Sequence, residues 1–268
     1  MVDSNERIVL VTGASQGIGA VTARKLLDAG FRVILHHRGG PTDQAGAETV
    51  VGDYGPGRYA LLGADFIENT AVEDLWQRAL KVWGRVDTLV LNAATMVPVG
   101  GIDDSEEDWN HAWHTQLQVN VLAPSRLMRG AVRHFRDRGG GVIITLSSWV
   151  AQQGVTNPSL LAYAASKGAI RATAQSIARG YAKDNILSHI IAPGIVRTKV
   201  SEDFAALQGG EEQVTNSLAM GEWVPPAEVA DLVTCLAGGT ANLLSGATLE
   251  RLGATVGRLS VGPRGAAA

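Results

Sequence analysis

Two periods alternate along this chain. Short apolar runs at 8–11, 31–36, 59–63, 87–91, 141–146, 187–192 and 247–252 have the length and composition of strands. Between them, apolar positions recur at helical spacing over 18–29, 42–52, 69–83, 105–136, 160–183 and 226–237. Gly30 stands where the first helix should stop. Strand and helix in alternation predict an α/β fold, a doubly wound parallel sheet of about seven strands with helices on both faces. The stretch from Thr198 to Val224 reads as a loop, with Gly209-Gly210 and Pro225-Pro226 as breakers. No repeat or composition shift divides the chain, so residues 1–268 are expected to form a single domain, with 262–268 as a frayed tail.

Composition narrows the class without naming a chemistry. With 268 residues, 46% hydrophobic and 18% charged, the chain can bury a substantial core. A net charge of −3 offers no attraction to nucleic acid or an anionic membrane surface. No apolar run reaches the ~20 residues of a membrane-spanning helix. The single cysteine, Cys235, rules out an intramolecular disulfide and fits a reducing cytoplasm. Six histidines raise the question of a metal, but His36 and His37 are neighbours on a strand and point to opposite faces. His111 and His114 could share a helix face, but no carboxylate-rich pocket or cysteine partner accompanies them, so no metal is expected. Trp109 and Trp113, one helical turn apart, read as packing residues.

Two local patterns carry chemistry. Thr12-Gly13-Ala14-Ser15-Gln16-Gly17-Ile18-Gly19 joins the first strand to the first helix. Glycines at such a junction allow a tight turn and bring backbone N–H groups at a helix N-terminus close to a pyrophosphate. The second is Tyr163-Ala164-Ala165-Ser166-Lys167. On a helix, residues i and i+4 share a face, and an ammonium beside a phenol favours phenolate, lowering a pKa that is ordinarily ~10. Such a phenol can exchange a proton near neutral pH, as hydride transfer to a carbonyl requires.

Together, a glycine turn near the N-terminus and a Tyr-x-x-x-Lys run in the second half resemble the short-chain dehydrogenase/reductase family, in its branch of roughly 250 residues that includes the 3-oxoacyl-thioester reductases. The resemblance covers nearly the whole chain and implies a Rossmann-type fold binding NAD(P). It implies Tyr163 as general acid/base, Lys167 as its partner on the nicotinamide ribose, Ser148 (or its neighbour Ser147) on the substrate oxygen, and Asn120 of Val119-Asn120 holding a water of a proton relay. The cofactor would be cradled by Gly13, Ser15, Gln16, Gly17, Ile18 and Gly19. Asp65 and Phe66 would lie at the adenine, Asn92 and Ala93 beyond the fourth strand, and Pro193, Gly194, Ile195 and Thr198 around the nicotinamide. Where the family has Asn-Asn-Ala-Gly, this chain has Leu91-Asn92-Ala93-Ala94.

An acidic residue at the end of the second strand would favour NAD. That slot aligns with His37 and is followed by Arg38, whose guanidinium fork suits a phosphate. NADP(H) is therefore the expected cofactor, with NAD(H) possible. The family also implies a homotetramer or homodimer, consistent with the alanine-rich helix around Tyr163, and a lid over 198–225. The lid mixes Phe204, Leu207, Met220 and Trp223 with Glu202, Asp203, Glu211 and Glu212. It carries no basic cluster and favours a neutral or partly apolar carbonyl or alcohol. Arg126, Arg129, Arg133 and Arg136 on the long helix offer a carrier protein a basic stripe, although a solvated face has the same pattern. A nucleotide-sensing protein without activity and a sugar-nucleotide epimerase share parts of these motifs. The first fits poorly with Ser148, Tyr163 and Lys167 all present, and the second usually needs a longer C-terminal domain.

Overall fold

The computed structural model describes residues 7–251, apart from 53, 208, 209 and 219. Seven parallel strands form one sheet in the order β3-β2-β1-β4-β5-β6-β7. They are β1 (Ile8–Val11), β2 (Arg32–His37), β3 (Tyr59–Gly63), β4 (Thr88–Leu91), β5 (Gly141–Leu146), β6 (Ile186–Pro193) and β7 (Thr248–Arg251). The helices are α1 (Gly17–Asp28), α2 (Pro41–Val51), α3 (Asn69–Trp83), α4 (Glu106–Leu117), α5 (Ala123–Asp137), α6 (Val150–Gln153), α7 (Leu161–Gly180), α8 (Lys199–Leu207), α9 (Glu211–Ser217) and α10 (Pro226–Ala237). The last residue of the seventh expected strand, Leu252, and the tail 262–268 lie outside the described residues.

The central strands are apolar throughout because both faces of the sheet are covered. On one face, Val9, Val11, Val33 and Leu35 meet Leu26 and Leu27 of α1 and Val229, Val233 and Leu236 of α10. On the other, Leu10, Ile34, Leu89 and Ile143 meet Leu75 and Trp76 of α3, Leu127, Met128 and Phe135 of α5, and Ile170 of α7. The chain reverses its direction of travel across the sheet between β1 and β4. This switch point, at the carboxyl ends of the strands, is where open α/β sheets bind ligands.

Two elements differ from the sequence expectation. The helix expected over 105–136 is interrupted by one π-helical turn, Gln118–Leu122. Pro124 follows it and has no N–H to give the Asn120 carbonyl, so a regular ladder cannot run through this point. The stretch read as a loop from Thr198 holds two helices, α8 and α9. Their glutamates, alanines and leucine are good helix formers, and the Thr198 hydroxyl accepts from Ser201 N at 3.4 Å to start α8. The expected breaker at Gly210 does separate them, with φ +100°.

Candidate active site

The glycine turn begins the site. Gly13 has φ +65°, open to glycine and strained for other residues. A Cβ on Gly19 would overlap the Gly13 carbonyl oxygen, so α1 closes onto the turn only because glycine is there. Asn92, just past β4, braces this arrangement, its Nδ2 donating to the Thr12 and Gly13 carbonyls at 2.9 and 3.0 Å. The Thr12 hydroxyl accepts from Asn92 N and Ala93 N at 2.9 and 3.0 Å and donates to the Val90 carbonyl at 3.2 Å. Thr12 is thus a structural pivot that the motif reading passed over. Gln16 caps α1 without a side-chain hydrogen bond, which leaves the helix start open to an anion.

A cavity of about 430 Å³ opens in front of this turn. Gly13, Ser15, Gln16, Gly17 and Ile18 of the turn line it, together with Asp65, Phe66, Asn92, Ala93 and Thr198. Its size, the glycine cradle and the uncapped helix suit an elongated phosphate-bearing ligand. Of the expected contact residues, Gly19, His37, Tyr163, Lys167, Pro193, Gly194 and Ile195 do not line it, and Gly19 acts through the turn it permits. Residues with no assigned role do line it, among them His36, Asp43, Ala94 and Thr95.

Strand alternation explains the exchange of His37 for His36. His36 and Arg38 face the cavity, while His37 turns to the opposite side of β2 and is buried against Gly63. His36 accepts from Gly13 N through Nδ1 at 3.1 Å, donates from Nε2 to the Ala64 carbonyl at 2.9 Å and stacks on Phe66. Burial pulls its pKa down to about 4, so the ring is neutral and can accept that bond. Arg38 donates from Nε to the Asp43 carboxylate at 3.0 Å.

Tyr163, Ser148 and Lys167 lie beyond this cavity, and their placement follows from where β5 ends and α7 begins. Ser147 and Ser148 follow β5 and meet different groups of α7. The Ser147 hydroxyl donates to the Lys167 carbonyl at 3.0 Å and so fixes α7 against the strand. The Ser148 hydroxyl acts on the Tyr163 phenol, opposing the rise in its pKa, which singles it out from the pair. The buried ammonium of Lys167 donates to the Leu146 carbonyl at 3.0 Å and lies 5.7 Å from the centre of the Tyr163 ring. Asn120, on the π-helical turn, accepts from Thr95 N at 2.8 Å through Oδ1. Its Nδ2 donates to the Thr95 carbonyl at 2.9 Å and to Ser166 Oγ at 3.0 Å. Ser166 in turn donates to the Tyr163 carbonyl at 2.7 Å. Thr95 lines the cavity, so this chain of bonds joins its wall to the helix carrying Tyr163.

The electrostatics differ from the expectation of a phenol held low by its lysine. Burial raises the Tyr163 pKa to about 12, with the Ser148 hydrogen bond opposing it. Burial also lowers Lys167 to about 8. Desolvation is the main cause of both shifts, and the Lys167 ammonium donates to the Leu146 carbonyl. In the protein alone, Tyr163 is a protonated phenol at neutral pH. Among the described residues, no group of three or more His, Cys, Asp or Glu side chains could hold a metal ion.

Residues 13–251 match the family model described as enoyl-(acyl carrier protein) reductase. The chain is similar to 3beta-hydroxysteroid dehydrogenase 1 of Eggerthella lenta, 31% identical over 250 residues with 92% of each chain covered. It is 32% identical over 257 residues to the short-chain reductase protein NovJ of Streptomyces niveus, covering 92% of this chain and 93% of that one. Its fold superposes with a TM-score of 0.82 on the NADP-bound 3-oxoacyl (acyl-carrier-protein) reductase of Agrobacterium tumefaciens C58, at 30% identity over 93% of this chain and 94% of that one. A glycine-cradled cavity at the switch point, a Tyr-x-x-x-Lys helix beside it and matches along nearly the whole length have one common explanation: the chain belongs to the short-chain dehydrogenase/reductase family of NAD(P)-dependent oxidoreductases.

Proposed function

We propose that the protein moves a hydride between NADP(H) and a carbonyl or secondary alcohol, with Tyr163 as the acid/base. The observation that carries this reading is the grouping of Tyr163, Ser148 and Lys167 where β5 meets α7, joined through Ser166, Asn120 and Thr95 to the wall of the glycine-cradled cavity. When bound, the nicotinamide supplies or accepts the hydride, and the remaining roles fall to the chain. In reduction, the phenol of Tyr163 gives its proton to the oxygen as negative charge develops there. Ser148 donates to the same oxygen and fixes its position. Lys167, with a pKa near 8, returns a proton to the phenolate and is itself recharged from solvent. The Asn120 carbonyl, which has no i+4 donor because Pro124 lacks an N–H, is the acceptor that would hold a water on this route.

The guanidinium of Arg38 in the cavity wall supports NADP(H) over NAD(H). The segment 198–225 would act as the lid. Arg197, just before it, pairs with Glu211 at 2.7 Å and lies over the Trp223 ring, whose Nε1 donates to Thr215 Oγ1 at 2.8 Å. These bonds tie α9 to both ends of the segment. A 3-oxoacyl thioester is the more specific substrate reading, favoured by the name of the Agrobacterium relative. A panel of ketones, acyl thioesters and secondary alcohols followed by NADPH absorbance separates it from a general carbonyl reductase.

Tyr163→Phe tests the central assignment. The variant should lose turnover by about 10²–10⁴-fold while its affinity for NADP+ stays close to that of the parent. Activity above a few per cent of the parent would remove Tyr163 as the acid.

A further inference from the structure

We infer that Asp43 of α2 limits the preference for a 2′-phosphorylated dinucleotide by competing with that phosphate for Arg38. The inference rests on the reading of the cavity as a nicotinamide-dinucleotide site and goes beyond it in naming the residue that opposes Arg38.

Arg38 follows β2 and Asp43 lies in the first turn of α2, across the Gly39-Gly40 turn. Both line the cavity, in company with Ser15 and His36. The Arg38 Nε donates to Asp43 Oδ2 at 3.0 Å, and the two side chains are unequally exposed, 73% for Arg38 and 15% for Asp43. An ion pair with one partner so open to water contributes little to stability. Its effect is greater on a charged ligand brought against it, because the pair replaces a free cation with a neutral fork. The other charged residues lining the cavity are Asp65 and Lys199, so the wall as a whole carries two positive and two negative groups. This is not the cationic cluster that would strongly select a phosphate.

The chemistry of the pair runs in both directions. A 2′-phosphate, with a charge near −2, gains from the guanidinium but must share it with a carboxylate already bonded to Nε. An unphosphorylated ribose has hydroxyl donors, and a carboxylate is the acceptor that suits them. Arg38 thus favours the phosphorylated cofactor and Asp43 the other. Their opposition predicts a modest ratio for the wild-type protein.

The test is calorimetric binding of NADP+ and NAD+ to the full chain, with 2′,5′-ADP and 5′-AMP as probes that lack the nicotinamide. Asp43→Asn should raise the ratio Kd(NAD+)/Kd(NADP+) by about tenfold, equivalent to ~1.4 kcal/mol. Asp43→Ser, a second residue suited to a helix start, should do the same, and the two probes should follow the dinucleotides. Arg38→Ala should move the ratio the other way, because the carboxylate is then free. A ratio that stays within about twofold in both Asp43 variants, or falls, overturns the inference and leaves the dinucleotide reading standing. Failure of the wild type to bind either dinucleotide or either probe overturns both.

Discussion

Ser147 and Ser148 are neighbours of the same chemistry with different work. Ser147 is consumed in holding the Lys167 carbonyl, and Ser148 opposes the rise in the Tyr163 pKa. Ser148→Ala should therefore lower kcat by about 10²–10³-fold with little change in unfolding free energy. Ser147→Ala should instead lower stability by about 1 kcal/mol, with the larger share of its effect in denaturant melts. Equal effects of the two on kcat would contradict the division. Lys167 has a signature in stability against pH. Its folded pKa, about 8, lies below its ordinary 10.5, so between these values the unfolded chain binds more protons. Stability attributable to Lys167 must then rise with pH. Relative to Lys167→Met, which carries the same Tyr163, the wild type should gain about 2 kcal/mol between pH 8 and pH 10. Urea melts at the two pH values read this difference, and a gap that closes or reverses would show that the ammonium is not desolvated. Tyr163 and Lys167 are legible as a pair from their spacing alone. The direction of their pKa shifts is not, because it depends on how deeply other segments bury them.

At the scale of elements, the first strand, the glycine turn and α1 form one unit with β4. Gly19 lets α1 approach the turn, and Asn92 holds the turn from the neighbouring strand. Gly19→Ala should push the helix start away from the Gly13 carbonyl and remove the cradle. NADP+ at a hundred times its Kd should stabilise the wild type by about 2.7 kcal/mol, read as a rise in Tm. Gly19→Ala should show no such rise, and a full ligand-induced shift in the variant would contradict the cradle. The elements themselves are largely legible in sequence, since their periods are local. The π-helical turn at Gln118–Leu122 is not, because periodicity passes over one added residue, although Pro124 marks the place. The helices α8 and α9 are masked by the glycines and prolines around them, which read as loop until tertiary contacts such as Arg197–Glu211 are seen.

The whole molecule is a sheet with two apolar faces and one functional edge. Its order brings Gly13 after β1, Asn92 after β4 and Ser148 after β5 to that edge. Among the described residues, no helix is long and apolar enough to cross a membrane. Family, fold class and the residues of the central proposal are readable along the chain for a physical reason. Strand and helix periods, glycine's permitted backbone angles and the i, i+4 spacing of Tyr163 and Lys167 are properties of short segments. The rest required the chain to come together. That Asp43 occupies Arg38, that His36 rather than His37 faces the cavity, and that Asn120 spans from Thr95 to Ser166 are all contacts across turns or between separate elements. Side-chain direction and burial at such contacts are set by the packing of one element on another, and that packing is where the cofactor preference and the proton chemistry of this site are decided.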